Sequence, residues 1–345
     1  MQNTLINTLF SRILSSVDFL IAKNQGVILC LHSVKKQNKK SHFFERTHFE
    51  NSTLGNSTLG RMAITDVFLE CMILHFKRHN IPIISLDEAL ARASNPKPNP
   101  FISITFDDGY RDNFTDAYPV FLKHNVPFTV FLTTGLIDRT LPMWWDALEK
   151  IIDGEAQLKF ENQILPNSKI SEKAANYSTF SNLMRSSNQI QMLEYLKNLL
   201  NENKSDFTLE STYDQALSWD MIKNMQKAGI AHFGAHSISH RLFSSLNETE
   251  LCTEITESRH RIEKQTGITP LYFAYPFGQQ SEIGIHASKI IKKSGFKAAF
   301  TTTRKACNNQ TVEDLYSIPR VMIGRGSQNI FKLWANLKYL TIFQK

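Results

Sequence analysis

Two adjacent carboxylates and a pair of histidines are the residues of this chain best suited to do chemistry. The run TFDDGYRDN (105–113) carries Asp107 and Asp108 directly after an apolar stretch. Neighbouring side chains diverge along an extended chain, so the two acids can take different jobs. The plainer alternative is that one caps a following helix and the other is a solvated loop acid. The run GAHSISHR (234–241) places His236 and His240 four residues apart; imidazole is the commonest metal ligand and suits zinc-type ions. Ser237 stands where the H-E-x-x-H protease pattern needs its glutamate, so that chemistry is excluded. A third run, YFAYPFG (272–278), offers Tyr275-Pro276-Phe277-Gly278 as a tight turn whose backbone N–H groups can face a ligand. Each run alone could be ordinary. A histidine pair ending one strand opposite a carboxylate pair ending another is a sharper constellation.

Placing these groups together requires elements that end at one face. Short apolar runs at GVILCLHSV (26–34), FISITF (101–106), PFTVFLTT (127–134), IAHFGAHS (230–237), LYFAYP (271–276), KAAFTTT (297–303) and YSIPRV (316–321) read as buried strands. Helical patterns separate most of them. ITDVFLECMILHFKRHN (64–80) is one, SLDEALARA (85–93) has Ser85 as N-cap with Glu88 three residues on, and 246–267 has Asn247 or Thr249 as cap and Gly267 as stop. Seven strands alternating with helices predict a parallel sheet closed into a barrel, with the acids and histidines at the C-terminal ends of its strands, where barrel enzymes put their catalytic groups.

Two stretches break the alternation. Residues 35–63 are polar and contain the tandem NSTLGNSTLG (51–60), which reads as an exposed loop. Residues 154–215 form a polar insertion with an amphipathic helix near IQMLEYLKNLL (190–200), expected to cover part of the barrel mouth. At the N-terminus, Leu5, Ile6, Leu9, Phe10, Ile13, Leu14 and Val17 share one helical face over residues 1–24. That helix either packs on its own domain or lies in a membrane interface; the apolar, lysine-bearing C-terminal segment 326–345, also expected to be helical, lends support to the second. Arg12 and Asp18 break the apolar run before it reaches the ~18 residues of a membrane span. No A-x-A-like cleavage signal is present, so a cytoplasmic enzyme, peripheral at the inner membrane face, is the expectation.

With 345 residues, 42% hydrophobic and 21% charged, the chain can bury a large core. Its net charge of +7 would suit an anionic partner, but Lys and Arg are spread rather than massed and no nucleic-acid motif is visible, so a nucleic-acid role is not expected. Cys30, Cys71, Cys252 and Cys307 form no CxxC pair, which favours a reduced compartment over a disulfide framework.

TFDDGY, HSISH and YPFG, in this order on successive strands, resemble the motifs of the polysaccharide deacetylase family, also called the NodB-homology family or carbohydrate esterase family four. The resemblance runs from about residue 26 to residue 323, and MWWDALE (143–149), LSWDMIKNMQKAGI (217–230) and GFKAAFTTT (295–303) look like members from surface-polysaccharide gene sets. It implies a distorted (β/α)7 barrel over residues 25–325, in agreement with the strand count. It also implies that Asp108, His236 and His240 bind a divalent ion, zinc by default, that Asp107 deprotonates the attacking water, and that the backbone N–H of Phe277 helps hold the oxyanion. An amide carbonyl is a poor electrophile, so an ion that polarises it and lowers the pKa of water toward ~7 fits the task.

This chain departs from the family pattern in several places. Ala274 stands where many members have an arginine that braces the base; Arg320, in SIPRVM, could reach the same carboxylate from another side. No late histidine is available as the general acid, since none follows His286, which falls in a presumed helix (281–290) and reads as structural. His32 in CLHSV takes its place, as in members acting on exopolysaccharides. Arg241 replaces a frequent proline, and Trp144 and Trp145 either stack on a sugar or pack in the core. Tyr275, Phe277, Trp145 and Arg320 are therefore the candidate oxyanion and substrate residues. The leading function is removal of N-acetyl groups from amino sugars of a surface polysaccharide, oligosaccharide or lipid-linked precursor. The alternatives are hydrolysis of another non-peptide C–N bond, as in allantoinase-type relatives, or a catalytically inactive glycan-binding barrel.

Overall fold

The structure, a computed structural model, describes residues 25–37, 62–154, 156–205 and 207–324. The expected helices at 1–24 and 326–345 and the NSTLGNSTLG loop lie outside these residues. Seven parallel strands form the central sheet: β1 (Gly26–Leu31), β2 (Phe101–Phe106), β3 (Phe128–Leu132), β4 (Ala231–Ala235), β5 (Tyr272–Ala274), β6 (Ala298–Phe300) and β7 (Val321–Met322). Their order in the sheet is β6-β5-β4-β3-β2-β1-β7. Strands β1 and β2 pair in full register, Gly26 opposite Phe101 through Leu31 opposite Phe106, and every residue of both is buried. Burial on both faces is what a parallel sheet wrapped by helices demands, and it explains why these strands read as unbroken apolar runs. The two ends of the sheet meet through a parallel bridge between Phe300 and Ile318, three residues before β7, so the sheet curls into the distorted (β/α)7 barrel.

The seventh strand is where expectation and structure differ. It was expected at 316–321, but regular pairing covers only Val321 and Met322. Pro319 has no N–H to give to a ladder, so the chain touches β6 through Ile318 and then shifts across to β1. Gly26 opens β1 because the Phe101 ring lies where a side chain would go; an added Cβ would sit 2.1 Å from it.

The helices follow their caps. Helix α1 (Asp66–Arg78) begins after Thr65, whose hydroxyl accepts the N–H of Phe68, and the preceding Ala63–Thr65 is a short strand paired with Ser33–Lys35. Helix α2 (Leu86–Ala93) has the expected Ser85 cap on Glu88. In the insertion, α3 (Trp144–Gly154) leads into an antiparallel hairpin (Gln157–Phe160 with Gln163–Pro166), then α4 (Ile170–Ser186) and α5 (Gln189–Glu202). Buried Lys173, Tyr177, Phe180 and Met184 give α4 its inward stripe at helical spacing. Beyond it, α6 (Trp219–Gln226) precedes β4 and α7 (Glu248–Thr266) precedes β5. Asn247, not Thr249, caps α7, and Gly267 ends it at φ +73. The presumed helix around His286 is two short helices broken at Gly284 (φ +76), with His286 starting the second and its Nδ1 3.1 Å from Glu248. Among the described residues no helix is long and apolar enough to cross a membrane.

Candidate active site

The site lies at the C-terminal ends of β1, β2, β4 and β5 and is built on loops held in uncommon backbone conformations. Asp108 (φ +71), Ser237 (φ +67), His240 (φ +53) and Phe277 (φ +61) all sit in the left-handed region, which non-glycine residues rarely adopt. Surrounding contacts hold them there. Glu254 on α7 accepts from the backbone N–H groups of Ile238 (2.8 Å) and Ser239 (2.9 Å) and from the Ser239 hydroxyl, while Ser237 Oγ accepts the N–H of His240 (3.0 Å). At the third motif, Gly278 (φ +79) lies so close to Thr302 that a Cβ would come within 2.9 Å of its backbone nitrogen.

Asp107 and Asp108 face different surroundings. The Arg320 guanidinium grips Asp107 with both arms, Nη1 to Oδ1 at 2.7 Å and Nη2 to Oδ2 at 2.7 Å. Arg320 is fully buried and also donates to Thr105 Oγ1 and the Thr301 carbonyl, so its plane is fixed. The Cys30 thiol donates to Asp107 Oδ2 from 3.3 Å. Burial pushes the Asp107 carboxyl up, but Arg320 and His236 outweigh it and hold the group at about 2. Arg320 thus reaches the base in place of the arginine replaced by Ala274. Arg320 is fully buried and is not among the residues that line the cavity, so its contact is with the base.

Asp108 has no such cation. Its Oδ1 is buried without a hydrogen-bond donor and faces Nε2 of His240 at 3.3 Å and of His236 at 3.5 Å. The Nδ1 of His236 is 2.8 Å from the Ala274 carbonyl, which fixes the tautomer and leaves Nε2 as a lone pair turned to Asp108. Three ligand atoms within 4.8 Å of one another, an orphaned carboxylate oxygen and an oriented imidazole fit a divalent ion of the zinc type. Burial works against charge on Asp108, yet the two histidines pull its carboxyl well below the usual range. For His236, burial lowers the pKa and Asp107 and Asp108 together raise it. A second group, Cys30, His32 and Asp107, also clusters within 4.8 Å. Asp107 is there already neutralised by Arg320, and burial drives the Cys30 thiol well up, so this trio is a poor cation site.

The other expected residues divide. His32 is buried on the cavity wall, and burial lowers its pKa against the pull of Asp108 and Asp107, which favours neutral imidazole. Trp145 lines the cavity with its ring 5.1 Å from that of His240 and its Nε1 donating to Tyr110 Oη at 2.7 Å; Trp144 packs edge-on against it and also lines the cavity. Phe277 lines the cavity with its ring 4.7 Å from His240. Tyr275 does not: it is buried in the core and its hydroxyl donates to the Tyr316 carbonyl at 2.8 Å. Side chains two apart in the sharp YPFG turn point different ways, and the tyrosine goes inward. Arg241 pairs with Glu250 at 2.9 Å.

Sequence reasoning missed Cys30, Tyr110, Tyr177 and Arg185. Cys30 carries a signal, because it stands on β1 two residues before His32, just past the strand's end, and alternate residues of an extended chain share a face. The cavity of about 310 Å³ is completed on one side by Tyr177, Ser181 and Arg185 of α4, so the insertion does cover part of the mouth.

Comparison with known proteins agrees with this geometry. The family model described as polysaccharide deacetylase matches residues 94–161 and 169–299. The poly-beta-1,6-N-acetyl-D-glucosamine N-deacetylase of Staphylococcus epidermidis is 22% identical over 314 residues, covering 90% of this chain and 84% of that one. The Staphylococcus aureus protein of the same name is 21% identical over 322 residues, covering 90% and 83%. Among solved structures, the Streptococcus pyogenes deacetylase PplD in complex with acetate superposes with a TM-score of 0.57 at 16% identity, covering 92% of this chain and 99% of that one. IcaB from Ammonifex degensii gives 0.54 at 17% identity, covering 91% and 97%. The family match spans more than half of the chain, and with the barrel and motif order described above it places this protein in the polysaccharide deacetylase family.

Proposed function

We propose that this enzyme removes N-acetyl groups from the amino sugars of a surface polysaccharide of the poly-β-1,6-N-acetylglucosamine kind, with Asp108, His236 and His240 holding a divalent ion and Asp107 as the general base. The observation that carries this reading is the division between two adjacent carboxylates, one paired with a buried guanidinium and one left to two imidazoles. When bound, the ion would supply Lewis-acid polarisation of the acetyl carbonyl and make a water acidic enough to lose its proton near neutral pH. Asp107, kept ionised and aimed by Arg320, accepts that proton; its Oδ1 already takes one hydrogen bond and keeps a lone pair for a second. The Phe277 N–H, presented by a left-handed residue on the cavity wall, is the donor placed for the developing oxyanion. His32 has a ring nitrogen within 4.8 Å of an Asp107 oxygen and carries the proton on to the departing amine.

The test is acetate release by the purified, zinc-loaded protein from a panel of N-acetylated oligosaccharides, with Asp107→Asn and His236→Ala alongside. Release that vanishes in both variants, with zinc still bound by Asp107→Asn, supports the assignment. Ring opening of ureides without acetate release would replace it with chemistry on another C–N bond.

A further inference from the structure

We infer that helix α4 of the insertion is a wall of the substrate site, and that Tyr177, Ser181 and Arg185 bind the sugar unit next to the one being deacetylated, in an uncharged oligosaccharide rather than a phosphate-bearing sugar. The inference rests on the reading of the site as a glycan deacetylase. The three residues are spaced i, i+4 and i+8, which puts them on one helix face, and all three line the cavity that holds Asp107, Asp108, His236 and His240. Helix α4 is anchored to the barrel at this point. The guanidinium carbon of Arg185 lies 4.1 Å over the Phe277 ring, and its Nη2 forms an ion pair with Glu282. Glu282 in turn accepts the N–H of Gln279 at 2.9 Å, immediately after the YPFG turn. The insertion therefore stands against the same loop that presents Phe277.

Size and charge define the occupant. A cavity of about 310 Å³ is at the small end of ligand sites, which run from ~300 to ~1,000 Å³, so the amino sugar being deacetylated occupies its catalytic end and the adjoining unit lies along the side that α4 completes. An aromatic ring, a hydroxyl and a guanidinium are the side chains that recognise a sugar's apolar faces and hydroxyl groups. The Arg185 side chain is 26% exposed and lines the cavity, so its guanidinium is within reach of a sugar hydroxyl at this wall. Among the described residues lining the cavity Arg185 is the sole Lys or Arg, and Glu282 neutralises it. A site shaped for a phosphate would present uncompensated cations instead.

The experiment measures binding, so that it stands apart from turnover. Full-length, zinc-loaded Asp107→Asn protein is titrated calorimetrically with N-acetylglucosamine, its β-1,6-linked pentamer and N-acetylglucosamine 1-phosphate. The pentamer is expected to bind about tenfold or more tighter than the monosaccharide, and the phosphate to bring no comparable gain. Adding Ser181→Trp, which fills the wall, or Arg185→Ala, which removes its donor, should cut the pentamer's advantage to about twofold while monosaccharide affinity holds. The inference is overturned if the pentamer has no advantage, if that advantage survives both substitutions, or if the phosphate binds tightest. Acetate release by the wild-type chain reports on the reaction separately: a length-dependent Kd without any acetate release would defeat the proposed reaction and leave the wall standing.

Discussion

Asp107 and Asp108 are neighbours in sequence, buried to the same degree and made of the same chemistry, yet the protein treats them as opposites. One accepts a hydrogen bond at each oxygen from a guanidinium near the far end of the chain. The other faces two imidazole nitrogens and keeps a buried oxygen with no donor. A buried carboxylate must be compensated, and these two use different means: a fixed cation carried by the protein, and a ligand set suited to an exchangeable one. Adjacent residues acquire separate roles here through what faces them. Identity of the side chain decides little; which strand end stands opposite decides the rest.

The division of roles between the two acids is most exposed to test at Asp107. Asp107→Asn should lower acetate release by about 10²–10⁴-fold while zinc content, measured by elemental analysis, stays at the wild-type level. His240→Ala should lose both together, and zinc added to it should no longer raise Tm as it does in the wild type. Zinc loss in Asp107→Asn equal to that in His240→Ala would show that Asp107 also holds the ion and that the division between the two acids is false. Next in size is Arg320→Met, which leaves an unpaired charge in the core and should cost about 3–5 kcal/mol in denaturant unfolding; adding Asp107→Asn to it should recover a large part. Removal of the ion by a chelator is expected to abolish turnover in a way that added zinc restores, while the Asp107–Arg320 pair remains and the fold survives.

The smallest effect concerns acid. The Asp107 pKa is held at about 2 in the folded protein against 3.8 as the ordinary value, so its ionised form is favoured by folding. The pair contributes stability that is fully present above about pH 4 and is lost as pH falls through about 2, roughly 2 kcal/mol in all. Urea midpoints followed from pH 5 to pH 2 should show that loss, and Asp107→Asn should flatten it.

Much of this was legible in the sequence because barrel strands are short, buried on both faces and rich in Val, Ile and Phe, as in FISITF and FTVFL. The seventh strand is hard to place because Ile318 and Val321 both belong to apolar pairing, and only Pro319 and Arg320 separate two different neighbours. Tyr275 was misjudged because a tight turn fixes backbone direction and leaves side-chain direction to packing. Helix α4 gives a weak signal because its exposed positions mix Ile170, Ala174 and Ala175 with polar residues, although Lys173, Tyr177, Phe180 and Met184 do repeat at helical spacing. Arg185 had no local signal at all; its place over Phe277 depends on a contact across 92 residues.

Asp107 precedes the arginine that neutralises it by 213 residues, and that arginine stands immediately before β7, in the segment that joins the two ends of the sheet. A ribosome delivers these groups in order, so the carboxylate stays without its counter-charge until nearly the whole described barrel has emerged. Completion of the reaction centre and completion of the barrel are then one event. A chain stopped at residue 310 would keep six of the seven strands and still lack a settled active site, and such a fragment should bind a hydrophobic dye where the full chain does not.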